Sequence, residues 1–221
     1  MALKMKPELT LADLLREAVL FAELESTHPE PSLFGVTDGK AVGTYFEHKF
    51  QAYLALKYAY VPGSSAKGID FPHINVDMKF TSIKQPQSSC PFKSGRQKIF
   101  GLGYSLLVFV YDTKDDPLTA TATLNVLHTL FVEENRTADF QTTSGILSIL
   151  ANHGNEEDLV AFMQDRMLPV DDIAARKLAQ EILKTPPEQG FLTISNALQW
   201  RLQYGRVIQQ AGTVSGVTRL R

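Results

Sequence analysis

Six residues separate Asp70 from Asp77, and Lys79 follows two positions later, in Gly68-Ile69-Asp70 and Asp77-Met78-Lys79. Asp77 and Lys79 share one side of a strand if the segment is extended, because side chains alternate with a period of two. A second strand ending at Asp70 would then bring two carboxylates and an ammonium together. Glu47 adds a third acid. At 100° per residue it falls in line with Gly43, Phe50 and Leu54, within the apolar arc of its helix. A carboxylate aimed towards a core is costly unless it is paired or coordinates a metal. Paired carboxylates suit a hard divalent cation such as magnesium, which binds through oxygen and keeps several waters. Such a cation polarises a phosphodiester and lowers the pKa of a bound water. Lys79 would orient that water and offset developing charge. The carbonyl of Met78 would be a further ligand.

The elements that must position these groups are legible in outline. Residues 8–25 carry Leu11, Leu14, Leu15, Val19 and Ala22 at helical spacing. Thr37 or Asp38 opens a second helix over 41–58, with Phe46, Phe50, Tyr53 and Leu54 as its stripe. A short strand is expected at 68–71 and another at 74–82, the latter alternating Ile74, Val76, Met78, Phe80 against Asn75, Asp77, Lys79, Thr81. A loop over 84–92 and a short basic helix over 94–102 lead to the apolar run 105–112, which reads as a central strand covered on two sides. This strand–helix–strand order suggests a crossover unit. A further strand is expected at 121–132, and helices at 137–152, 156–167 and 171–184.

Composition limits the options. In 221 residues, 44% are hydrophobic and 21% charged, as in an ordinary globular chain. The longest apolar run is too short to span a bilayer. The N-terminal residues lead into an acidic amphipathic stretch rather than an apolar signal core. One cysteine, Cys90, excludes a disulfide framework. A cytosolic protein is expected. The net charge of −2 does not advertise a nucleic-acid binder, but two segments, 79–98 and 201–221, are basic and free of acids. That pattern is compatible with one cationic cleft.

The D-x6-D-x-K arrangement, with the helical Glu47 in Gly43-Thr-Tyr-Phe-Glu47 before it and the buried strand after it, resembles the PD-(D/E)xK nuclease family, found in many type II restriction endonucleases. The resemblance covers roughly residues 37–134, and Ile69 stands where proline is usual. It implies an α/β fold with a mixed central sheet flanked by helices. It implies Asp70, Asp77, Lys79 and Glu47 as catalytic residues, with Asp70, Asp77, Met78 and Glu47 around a magnesium ion. The bland alternative makes Asp70 a turn residue before Pro72 and places Asp77 and Lys79 on the solvated face of an edge strand.

Past residue 135 the character changes to mainly α, so residues 1–134 are expected as the catalytic domain and 135–221 as the recognition domain. A helix over 194–204 followed by a glycine-punctuated hairpin over 206–221 looks like a winged helix-turn-helix. Asn196, Gln199 and Gln203 on that helix could pair with adenine. Arg206 and Arg219 would contact the backbone from the wing, and Lys84, Lys93 and Arg96 from the other basic segment. The alternative is a helical subdomain with a polar surface. His73 reads better as a turn residue than as a substrate contact, and Gly101-Leu-Gly103 precedes a strand, so it is not a phosphate loop.

The expectation is a magnesium-dependent type II restriction endonuclease acting on double-stranded DNA in the prokaryotic cytoplasm, as a homodimer. Two alternatives stand beside it: a structure-specific repair or recombination nuclease of the same fold, and a non-catalytic winged-helix DNA-binding regulator.

Overall fold

A computed structural model describes residues 6–63, 68–89, 94–195 and 201–221. The chain divides into two compact units that interleave along the sequence. The first comprises Met1–Pro86, Leu106–Phe131 and Thr218–Arg221; the second comprises Gln87–Ser105 and Val132–Val217.

In the first unit, helix α1 spans Leu11–Glu25 and helix α2 spans Gly39–Lys57. Thr10 opens α1 with a reciprocal capping box to Asp13, and the Asp38 carboxylate caps α2. Strand β1 (Pro29–Glu30) lies between them. Strand β2 is Val76–Ser82 and β3, in the second unit, is Gln87–Ser89. After helix α3 (Arg96–Phe100) come the long strands β4 (Ser105–Asp116) and β5 (Thr121–Val132). The main sheet runs β1-β5-β4-β2. The chain's last residues return to β5, where Thr129 exchanges backbone bonds with Leu220 and Arg221.

The core of this unit is aromatic. Phe80 of β2 is stacked between Phe46 of α2 (4.8 Å, 12°) and Phe109 of β4 (4.9 Å, 11°). Val76 and Met78 join the same cluster. The alternation expected for 74–82 therefore holds, and it turns Asp77, Lys79 and Thr81 to the other side of β2. Helices α1 and α2 are clamped by Glu17. Its carboxylate accepts from Tyr53 (2.8 Å), Lys57 (2.6 Å) and Tyr58 (2.9 Å). Burial pushes the Glu17 pKa up, but these three donors outweigh it and hold it at about 2.

The second unit is built on helices α4 (Phe140–Ala151), α5 (Glu156–Asp165) and α6 (Asp172–Lys184). They pack through Ile146, Leu159, Met163, Leu178 and Ile182, with Ile99 of α3. Asp139, Asn155 and Asp171 cap them in turn. Strands β6 (Thr193–Ile194) and β7 (Arg201–Gln203) follow, then helix α7 (Gly205–Gln210) and strand β8 (Val217–Arg219). Strand β8 pairs with β5, and a three-stranded sheet has the order β3-β7-β6.

Four expectations fail. The loop expected over 84–92 contains strand β3. No strand forms at 68–71; only Phe71 pairs, in a single bridge with Val76. At the described ends of the helix expected over 194–204 stand β6 and β7 instead, and residues 196–200 lie outside the described residues. Residues 194, 198 and 202 fit a period of two as well as one of four. Buried Tyr204, two positions beyond buried Leu202, decides for the strand. The hairpin over 206–221 begins instead as α7, because Val207 and Ala211 are buried one helical turn apart. Among the described residues, the recognition helix is thus not seen at its two ends, and the wing keeps only the turn closed by the Val214–Val217 bridge.

Candidate active site

A short turn builds the site. Phe71 and Val76 exchange both backbone bonds, Phe71 N to Val76 O at 2.9 Å and Val76 N to Phe71 O at 3.2 Å. Residues 72–75 close the turn, with Asn75 in the left-handed region at φ 55°, a conformation asparagine tolerates. The next pair outward is Asp70 opposite Asp77. Beside a hydrogen-bonded pair, the neighbouring non-bonded pair brings its side chains closer together. The six-residue spacing therefore makes the two carboxylates face each other without a full hairpin.

Asp70 is fixed from both sides. Its Oδ2 accepts from the Met78 backbone N–H at 2.8 Å. Its own carbonyl accepts from the Gly63 N–H at 2.8 Å. A Cβ on Gly63 would lie 1.8 Å from the Ile69 carbonyl oxygen, so the chain here approaches as closely as only glycine permits.

Asp77 is 2% exposed, and its Oδ2 lies 2.5 Å from the Lys79 ammonium. Burial pushes the Asp77 pKa up to about 7. Lys79 pulls against that rise, and a hydrogen bond with the Asp70 carboxyl adds to it. Half-buried Glu47 stands close enough to feel the same groups. Burial raises its pKa first and the charge of Asp70 raises it further, while His48 and Lys79 partly offset both. Asp70, Asp77, Lys79 and Glu47 thus form one electrostatic group. The edge-strand alternative fails in its main term, because Asp77 is buried rather than solvated.

The fit to a hard cation rests on this charge balance. Two carboxylates face each other beside one ammonium, which pairs with Asp77, and burial together with the second carboxylate disfavours the ionised form of Asp77. A divalent ion would supply the positive charge that the pair lacks. Among the described residues no three His, Cys, Asp or Glu side chains converge as a ready-made ligand cluster. Glu47 is coupled to the pair through the charges of Asp70 and Lys79.

The expected DNA contacts are scattered. Lys84 is exposed in the turn after β2. Arg96 is held by Glu181 at 2.6 Å and lies over the Phe100 ring. Arg206 stacks on Phe140, 3.7 Å from the ring centroid, and Arg219 bonds His128 Nδ1 at 2.8 Å. Gln203 is exposed, but on β7. Lys93, Asn196 and Gln199 lie outside the described residues. His73 bonds the Leu9 carbonyl at 3.0 Å, the role of a turn histidine. Gly63 is the site residue that spacing alone did not mark. Pro62-Gly63 reads only as a helix stop, and its partner lies seven positions on.

The family model described as type II restriction enzyme NspV matches residues 8–219. The chain belongs to the NspV family of type II restriction enzymes. It is 66% identical over 209 residues to the type II restriction enzyme NspV of Nostoc sp. (strain ATCC 29411 / PCC 7524), covering 95% of each chain. No solved structure matches. As a member of this family the chain is an endodeoxyribonuclease of the restriction type, with DNA as substrate. This decides against the repair nuclease and the non-catalytic regulator. Enzymes of this type generally work with a divalent metal. No helix among the described residues is long and apolar enough to cross a membrane.

Proposed function

We propose that the Asp70–Asp77–Lys79 corner is the hydrolytic centre of this restriction endonuclease and that magnesium is its metal. The observation that carries this reading is the buried Asp77 carboxylate, faced by Asp70 and touched by Lys79 at 2.5 Å. Asp70, Asp77 and the Met78 carbonyl would hold the ion, with Glu47 as an accessory donor. When bound, it supplies Lewis-acid polarisation of the scissile phosphate and a more acidic water.

The protein's own groups do the rest. Gly63 and the Met78 N–H hold Asp70 in place. Asp77 anchors the Lys79 ammonium. Lys79 orients the attacking water and lies against the charge that builds on the phosphate oxygens. Attack in line with the departing oxygen breaks one phosphorus–oxygen bond of the backbone. Residues 135–221 supply sequence recognition. The enzyme works as a homodimer, because cutting both strands at a symmetric site calls for two centres, and it does so in the cytoplasm, where the DNA is.

Digestion of DNA of known sequence with and without magnesium tests the reading. Discrete fragments with identical ends, formed only with the ion, are expected. Equal cleavage in a metal chelator would contradict it.

A further inference from the structure

The sheet β3-β7-β6 belongs wholly to the second unit, and its two faces differ in character. Pairing is antiparallel, with Gln87 opposite Gln203, and Thr193 opposite Gln203 from the other side. Directly opposed residues point to one side of a sheet. Gln87, Gln203 and Thr193 therefore form one row across three strands. Ser89 opposite Arg201 begins a second row on the same face. Ser195 completes it, its N–H bonding the Arg201 carbonyl at 3.1 Å. The other face is a core face. Leu202 and Ile194 are buried on it, and the Ser88 hydroxyl bonds buried Tyr204 at 2.6 Å.

The outward face thus presents two amides, three hydroxyls and one guanidinium, and no carboxylate. The acids of this unit lie outside the three strands, most of them on α5 and α6, and the buried Asp139 carboxylate meets β6 at the Ile194 backbone N–H. An acid-free polar surface is what can approach a polyanion closely. Amides pair with the adenine edge and guanidinium with the guanine edge in the major groove. That groove is about 12 Å wide and accepts a two-stranded ribbon, and strands lie about 4.8 Å apart.

We propose that this face reads base edges in the major groove of the DNA substrate, with Gln203 and Arg201 as specificity-determining residues. The inference rests on the reading that the second half of the chain supplies recognition, and it replaces the expected recognition helix with a sheet. Gln203 keeps its role as a base contact but acts from a strand.

The test uses the full-length enzyme and duplexes carrying its own cleavage sequence, identified from fragment ends, together with every single-base-pair variant. Gln203→Ala should lower kcat/KM on the true sequence about 5- to 150-fold, the discrimination of one paired side chain–base contact. It should also relax discrimination at one base-pair position and its symmetry mate. Arg201→Ala should do the same at a different position. Ser88→Ala, on the core face, should leave discrimination unchanged. Gln203→Glu, which keeps size and strand, should weaken binding to the true sequence more than alanine does. Thermal melting confirms that each variant is folded. Wild-type discrimination in both alanine variants overturns the proposal, as does an equal loss on every sequence. If cleavage itself needs no metal, the hydrolytic reading fails while the sheet is still judged by equilibrium binding: relaxed discrimination supports it and unchanged discrimination overturns it.

Discussion

The corner that holds Asp70 and Asp77 differs in kind from the outward face of β3-β7-β6. At the corner, charged groups are buried against one another. Asp77 is 2% exposed with its pKa pushed up to about 7, Asp70 beside it accepts a backbone bond, and Lys79 is held in an ion pair. On the sheet face, the groups are neutral or singly charged, partly exposed, and ordered in rows by strand register. Hydrolysis needs few residues in one geometry, and low dielectric there strengthens each charge. Recognition needs donors and acceptors spread over several base pairs, which solvent-facing strands supply without strain. One region should therefore fail abruptly when altered and the other by degrees.

The largest expected effect belongs to the corner. Asp77→Asn and Lys79→Ala should each lower the rate of cleavage by at least about 10²-fold to 10³-fold, the range for removal of a positioned charge or proton-transfer group. Activity within a few-fold of wild type would erase the contrast with the sheet.

A smaller loss is expected one step away. Gly63→Ala forces its new carbon against the Ile69 carbonyl, 1.8 Å away before any shift, and so displaces Asp70. A misplacement of that order costs about 10²-fold in kcat. KM for the true sequence should change little, because Gly63 does not belong to the recognition face. An unchanged kcat would show that Asp70 need not be held so closely.

The smallest effect marks the limit of the comparison, since Glu17 belongs to neither region. Its pKa is held at about 2 against an ordinary 4.5. The stability it contributes is present above pH ~4.5 and is lost as pH falls towards about 2. Glu17→Gln should cost about 1–3 kcal/mol at pH 7 and progressively less in acid, with cleavage by the folded enzyme unchanged. Urea unfolding of both proteins across that pH range measures it. A difference that does not shrink in acid would mean that the ionised form is not what clamps α1 to α2.

The same contrast explains what could be read from sequence. Asp70, Asp77 and Lys79 were legible because a short turn beginning at Pro72 converts chain spacing directly into a facing pair. The electrostatic coupling of Glu47 to Asp70 was foreshadowed by a helical phase that put an acid in line with Phe50 and Leu54. Strand β4 was legible from its continuous apolar run, and β5 and helices α4–α6 from their periodicity. Gly63 was not legible, since its reason is a backbone seven residues away. β3 was missed because Gln87-Ser88-Ser89 has no apolar signal and exists only by pairing with β7. The described ends of segment 194–204 were misread because Ile194 and Leu202 satisfy two periods at once, and only the burial of Tyr204 separates them.

The central claim is that Lys79, anchored by Asp77, serves cleavage and not binding. The most direct test measures cleavage and equilibrium binding of Lys79→Ala on the same duplex in magnesium. Loss of cleavage by at least about 10²-fold, with discrimination between the true sequence and single-base-pair variants kept at the wild-type ratio, is expected. Retained cleavage, or a loss of specific binding equal to the loss of cleavage, would contradict the account.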